Sequence, residues 1–374
     1  MRATVQSQPS QSHYMAVRRY RSIQALRGFA AVIVVIYHAL RLWSDNASSH
    51  PVTWQSGAAG VDLFFIISGF VMAFTHHEGQ PAGTFMKRRA IRIVPLYWLA
   101  TTGMLIKAGI MAMHPELAHG AGHSALSVPY IAASYLFIPY RDTLGQVLPL
   151  LSVGWTLSFE MLFYACFAAA IWLRMSAIRL LAPLFALFII GGLAFTSSAI
   201  MTLASPLLFE FIAGLWLGNL AKSGKCINRT FAVAAGAVGL VILLTVPLPS
   251  PAARAFTWGA GAFLVVLSAI GLERGLRLPA WLQKLGESSY SLYLVHIPIF
   301  SICYRLLRGA FNTPHGAYLI VATCLVLSLG GAVLVHRFVE IPLTTAARGW
   351  VTPAAFSAAP PDSHSTIASF PYAA

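Results

Sequence analysis

RGFAAVIVVIYH, residues 27–38, sets a cation and an imidazole at the two ends of a run of ten mostly apolar residues. In an α-helix, eleven steps of about 100° bring His38 to within roughly 20° of the face that carries Arg27, about 16 Å further along the axis. Read outward in both directions, the apolar run covers residues 23–42, long enough to span a bilayer. Ionisable side chains are costly in hydrocarbon, so two of them on one face of such a helix point to an interior cavity and a task performed there.

The remaining sequence extends the same pattern. Of 374 residues, 57% are hydrophobic and only 10% charged, and the mean hydropathy is +0.71, which describes a polytopic membrane protein with little length left for a soluble domain. The formal charge of +14 comes from 25 basic against 11 acidic residues. The basic residues stand in short clusters between apolar runs, as the positive-inside rule requires, which argues against nucleic acid as a partner. Cys166, Cys226, Cys303 and Cys324 are scattered and show neither a metal-ligand spacing nor a disulfide framework. Arg18, Arg19 and Arg21 before an apolar run resemble a signal peptide. The run contains Arg27 and exceeds the usual apolar core of such peptides, so it reads as a retained first span.

Spans are expected at 23–42, 57–75, from 93 to just before His114, and at 153–173, 180–195, 206–220, 230–246, 255–272, 288–304 and 316–336. The fold class is therefore all-α, a polytopic integral membrane helix bundle of about ten transmembrane helices. Residues 1–21 read as a disordered cytoplasmic arm, 22–342 as the membrane domain and 343–374 as a disordered tail. The loop through His50, Pro51 and Trp54 lacks Lys and Arg and is expected outside; FMKRRAIR, residues 85–92, is expected inside. The short apolar piece at 128–140 is read as re-entrant or external, because that places Arg174, Arg179, Lys222, Lys225 and Arg229 together on the inner side, with both termini cytoplasmic.

Several further positions could carry chemistry. Asp62, near the outer end of the second span, either stays wet at the interface or pairs with a cation or orients His38; Gly57, Gly60 and Gly69 permit close helix approach. Glu160 lies inside the fourth span with Tyr164 one turn on, and a carboxylate at that depth calls for a partner. Glu210 poses the same question and is equally readable as packing glue. Ser289, Tyr293 and His296, at i, i+4 and i+7, form a polar stripe that could wall a cavity. Arg337 and Glu340 read as an ordinary surface pair. A cluster such as Arg88, Arg89 and Arg92 suits a phosphate-rich ligand, because guanidinium forks bind phosphate oxygens bidentately. A histidine in a cavity suits general-base work near neutral pH. Together they suit transfer of an activated group from a polyanionic carrier to a hydroxyl. A multispan transporter or flippase for a glycan or acyl intermediate is the alternative, although no internal repeat of the transporter kind is visible.

In this order, IQALRGFAAVIVVIYHA, GVDLFFIISGF, KRRAIRIVPLYW, WTLSFEMLFY, FEFIAGLWLG, SYSLYLVHIP and FVEIP resemble the strings of the membrane acyltransferase family 3, and within it the exopolysaccharide O-acetyltransferases. The resemblance implies acetyl-CoA as a cytoplasmic co-substrate, with no permanently bound cofactor and no metal. It implies a sugar hydroxyl on a polysaccharide or its lipid-linked oligosaccharide precursor as acceptor. The implied setting is a bacterial inner membrane, with polysaccharide-assembly proteins as candidate partners. Carried over, His38 would be the catalytic base, acting directly or through an acetylated His38. Arg27, Arg89 and Arg92 would serve donor binding or catalytic electrostatics, and Glu160 would support the core.

Overall fold

The computed structural model describes residues 20–47, 54–114, 126–194, 199–313 and 315–349. The expected arm before Tyr20 and the tail from residue 350 onward lie outside these residues, as do His50 and Pro51. The regular structure of the described chain is helical: α1 (Arg21–Asn46), α2 (Gly60–Thr75), α3 (Ala82–Met113), α4 (Val128–Tyr135), α5 (Trp155–Trp172), α6 (Ala177–Ala194), α7 (Leu208–Lys222), α8 (Arg229–Thr245), α9 (Arg254–Leu272), α10 (Ala280–Glu287), α11 (Ser289–Leu306), α12 (Gly316–Val335) and α13 (Ile341–Gly349). No strand occurs among the described residues.

By length and composition, 7 helical stretches can cross a membrane: those built on α1, α2, α3, α5, α7, α9, and α12 with α13. The hydropathy pattern predicts about ten crossings, and the difference has physical causes. The apolar parts of α6 and α8 are shorter than a full span, and the serines, tyrosines and His296 of α11 dilute its apolar character. At 8 residues, α4 rises only about 12 Å and cannot cross.

Two boundaries differ from expectation. The third helix starts at Ala82, not near Ile93, and runs 32 residues, about 48 Å, well beyond a hydrocarbon core of about 30 Å. The basic stretch is therefore helical, and the 100° step sorts it: Lys87 and Arg88 are exposed, whereas Arg89 is buried and Arg92 half-buried on the inward side. At the other end, the expected boundary at Pro342 falls inside α13, which continues to Gly349.

The centre of the bundle is the crossing of α2 with α7. A Cβ on Gly69 would overlap the carbonyl oxygen of Phe211, and one on Gly214 the carbonyl oxygen of Ile66, so the two backbones touch directly. Phe211 stacks on Phe65 of α2 and on Phe163 of α5, each at 4.6 Å between ring centroids. Gly57 and Gly60 meet α1 in the same manner. In lipid, where apolar side chains gain nothing by leaving hydrocarbon, such close contact is a main source of association. Gly214→Ala should cost about 1–3 kcal/mol by overpacking. Gly330→Ala, on α12 where nothing lies within reach of a new Cβ, should leave the thermal midpoint of the purified protein unchanged. Equal midpoints for the two variants would refute the crossing as a close contact.

Candidate active site

Helices α1, α2, α3, α5 and α11 enclose a cavity of about 80 Å³ whose polar wall includes Arg27, Ser68, Arg92, Thr156, Glu160, Tyr164, Ser289, Tyr290 and Tyr293. Each arrives by helical spacing. Glu160 and Tyr164 are i and i+4 on α5, and the Tyr164 hydroxyl donates a short hydrogen bond to Glu160 Oε1. Ser68 Oγ, from the middle of α2, donates to the same oxygen at 2.9 Å and lies 3.3 Å from the tyrosine hydroxyl. The carboxylate expected to need a partner therefore has two hydroxyl donors.

The opposite wall is cationic. Arg27 reaches the cavity from α1, held by Gln24 Oε1 at 3.4 Å, and Arg92 from α3. One turn before Arg92, Arg89 lies with its guanidinium carbon 5.7 Å from the Phe85 ring centroid and 6.0 Å from that of Tyr164. Its Nε finds no hydrogen-bond partner among the described residues. Arg27 and Arg89 lie within electrostatic reach of both Arg92 and Glu160, and Glu340 also acts on Arg27. Three guanidiniums against two carboxylates leave an excess positive charge, and a buried donor without a partner is a place for a ligand oxygen.

α11 closes the cavity and joins it to a second group. The Tyr290 hydroxyl donates to the Ile93 carbonyl at 2.7 Å, tying α11 to α3. The Tyr293 hydroxyl meets Thr156 Oγ1 at 2.9 Å and donates to Val153 O at 3.2 Å. Tyr293 also packs on His296 at 5.9 Å between centroids, and His296 on His38 at 5.1 Å. Both imidazoles are oriented by their own helices: His38 Nδ1 lies 2.9 Å from Val34 O, and His296 Nδ1 3.2 Å from Leu292 O. A carbonyl only accepts, so each Nδ1 carries the proton and each Nε2 presents a lone pair. His296 Nε2 is buried without a partner among the described residues.

The structure thus brings Arg27, Arg92, Glu160, Tyr164, Ser289 and Tyr293 to one cavity. Arg89 lies behind Tyr164, and His38 and His296 continue from Tyr293. Arg88 stays on the exposed side of α3. Asp62 stands apart and does not orient His38, whose Nδ1 is taken by Val34 O. Its carboxylate, fully buried, is forked by Arg254: Nε lies 3.0 and 3.2 Å from the two oxygens and Nη2 2.7 Å from Oδ2. The Arg337–Glu340 surface pair does not form. Glu340 is buried in a π-helical turn (His336–Glu340), where it accepts from Ser291 Oγ at 2.6 Å and from His336 Nδ1 at 2.8 Å, while Arg337 lies over Phe338.

Sequence reasoning passed over Arg254, Tyr290 and Thr156 and gave Ser68 no role. For Arg254 a signal existed. On the expected topology it falls at the outer end of a span, where the positive-inside rule disfavours arginine, so a buried counter-charge was the natural inference.

A helical membrane core with a positively charged cavity, a hydroxyl-bonded carboxylate and two tautomer-fixed imidazoles has the parts of a group-transfer enzyme for an anionic carrier. Comparison with known proteins gives the same class. The chain belongs to acyltransferase family 3, whose model, described as an acyltransferase domain, matches residues 20–337; it is a membrane acyltransferase. It is 35% identical over 261 residues to the exopolysaccharide production protein ExoZ of Rhizobium meliloti, covering 66% of this chain and 77% of that one. To BcsY of Komagataeibacter xylinus, a putative membrane-bound transacylase, it is 30% identical, covering 87% and 84%. To the peptidoglycan O-acetyltransferase OatA of Listeria monocytogenes it is 22% identical, covering 86% of this chain and 55% of that protein. No solved structure matches the chain.

Proposed function

We propose that the protein moves an acetyl group from cytoplasmic acetyl-CoA to a sugar hydroxyl of an exopolysaccharide or its lipid-linked precursor. The observation that carries this is the run from the Arg89/Arg92 cluster through the cationic cavity and Tyr293 to the His296–His38 pair. The diphosphate end of the donor is held by Arg89 and Arg92, with Lys87 and Arg88 at the exposed mouth, and its thioester arm extends along the cavity toward the imidazoles. His38 Nε2 takes the proton of the sugar hydroxyl as its oxygen attacks the thioester carbonyl. The hydroxyls at the histidine end of the cavity, on Tyr293 and Thr156, stabilise the developing oxyanion, while Arg27, about 16 Å from His38 along α1, positions the charged donor. The thiolate leaves, and the imidazolium returns its proton to that sulfur. Glu160, fixed by Ser68 and Tyr164, holds the cationic wall in place.

The setting proposed with it is a bacterial inner membrane with both termini cytoplasmic. About ten crossings result when α6, α8 and α11 are added to the seven stretches long enough by themselves. Residues 22–342 form the acyltransferase unit. Acetyl-CoA acts as co-substrate and no cofactor is bound permanently; polysaccharide-assembly proteins are candidate partners. The names of ExoZ and OatA support a glycan as acceptor.

Polysaccharide from strains with and without the gene, compared by mass spectrometry, should differ by acetyl groups; identical spectra would overturn the proposal. For the donor site, Arg89→Ala and Arg92→Ala should each weaken acetyl-CoA binding about tenfold or more, since charge-assisted hydrogen bonds contribute about 1.5–3 kcal/mol. Titration of labelled donor into the purified protein reads this, and unchanged isotherms for both variants would remove the cluster from the donor site.

A further inference from the structure

A second cavity, of about 400 Å³, lies at the end of the bundle remote from the Arg89/Arg92 cluster. Its walls come from the segment after α4, the first turns of α5, residues 202–207 ahead of α7 and residues 248–254 leading into α9. The volume falls in the range of small-ligand sites, about 300–1,000 Å³. It shares no lining residue with the cationic cavity, yet one thin partition divides them. On the opening turns of α5, Trp155, Ser158 and Phe159 face the larger cavity, while Thr156, Leu157 and Glu160 face the cationic one. Phe65, in the wall of the cationic cavity, packs against Phe159 at 5.8 Å and Trp155 at 6.5 Å.

The chemistry of the two ends differs. At the first, Arg89 is buried with a donor free, which suits a polyanion. At the second, Arg254 borders the cavity with its charge already matched by Asp62, and its Nη2 also donates to Ala58 O at 2.9 Å. The carboxyl group of Glu210 lies beside the same pair. A guanidinium so matched does not attract a phosphate. It is a rigid donor, and its Nη1 makes no bond to the described residues. Around it stand the faces of Phe137, Tyr140 and Trp155 and the hydroxyls of Ser158, Thr202 and Ser205. Phe137 holds a left-handed backbone, φ 60°, a costly conformation for a bulky residue. It is kept there by stacking on Tyr97 at 4.5 Å. Aromatic faces with fixed, uncharged-on-balance donors match a sugar ring, whose C–H faces are apolar and whose edges are hydroxyls.

We propose that this cavity binds an uncharged sugar residue of the acceptor glycan, with Arg254 as hydroxyl donor, and that the Phe65–Trp155–Phe159 partition separates it from the donor side. This rests on the reading of the chain as an acetyltransferase with a saccharide acceptor. The cavity can be filled without touching either cluster of charges: Thr202→Trp on one wall, Leu248→Trp on the other.

The probes are oligosaccharides from the unacetylated polysaccharide of a strain lacking the gene, and labelled acetyl-CoA, with the full chain in lipid nanodiscs. Each filled variant should raise the saccharide KM at least tenfold while the acetyl-CoA Kd stays at the wild-type value. Saturation-transfer NMR should show the oligosaccharide on the wild type and lose it in the variants. An unchanged saccharide KM in both variants, an equal loss of donor affinity, or an NMR signal that survives both substitutions would overturn the assignment. A wild type that transfers no acetyl group overturns the functional reading instead, and the NMR signal then still decides the cavity.

Discussion

Alanine in place of His38 lowers acetyl transfer by about 10²–10⁴-fold, the range in which a general base contributes, while the protein still inserts and binds acetyl-CoA. The geometry makes this a clean experiment. His38 is half-buried, and its one hydrogen bond to the described residues is to Val34 O on its own helix. Truncation therefore breaks no hydrogen bond between helices and removes only the ring contact with His296. The readout is transfer of label from acetyl-CoA to unacetylated oligosaccharide, together with donor binding on the same preparation. Transfer within a few-fold of wild type would remove His38 from the chemistry and leave His296 Nε2 as the remaining candidate on the same pair.

Asp62→Ala gives the largest loss of stability. The substitution leaves the half-buried Arg254 guanidinium with only Ala58 O as acceptor among the described residues, and breaking a buried pair from one side costs up to about 3–5 kcal/mol. A sharp fall in the thermal midpoint of detergent-solubilised protein is expected. Replacing both partners by apolar residues of similar volume, Asp62→Leu with Arg254→Met, should restore most of it, because no charge is then left without its partner. If the single variant keeps the wild-type midpoint, the pair is wet and contributes little. The double variant also separates stability from binding: a folded protein without Arg254 should still bind acetyl-CoA and bind saccharide poorly.

How much the sequence disclosed depends on the range of the interactions concerned. The Arg27–His38 relation, the Glu160–Tyr164 pair and the stripe on α11 are all i to i+11 or closer, and helix periodicity places them without tertiary knowledge. The Asp62–Arg254 pair joins positions 192 residues apart, and no local pattern contains it. Glu340 was misread for another reason. The π-helical turn at His336–Glu340 inserts an extra residue into the helical register, rotating the downstream residues by about a third of a turn relative to an α-helix and carrying the carboxylate from the surface to Ser291. Tyr290 lies one step off the stripe of Ser289, Tyr293 and His296, yet it reaches the same cavity through α3. The basic stretch at 85–92 was legible as a cluster. Its division into exposed Arg88 and inward Arg89 and Arg92 required the helix to begin at Ala82.

The direct backbone contact of α2 with α7 has one more consequence. Phe65 sits one turn before Gly69, on a helix that cannot slide or tilt without separating from its partner. A ring mounted on a fixed post opens only by turning about its own side-chain bonds. The Phe65 edge of the partition is thereby pinned through its backbone, and side-chain rotation is the freedom left to it beside Trp155 and Phe159.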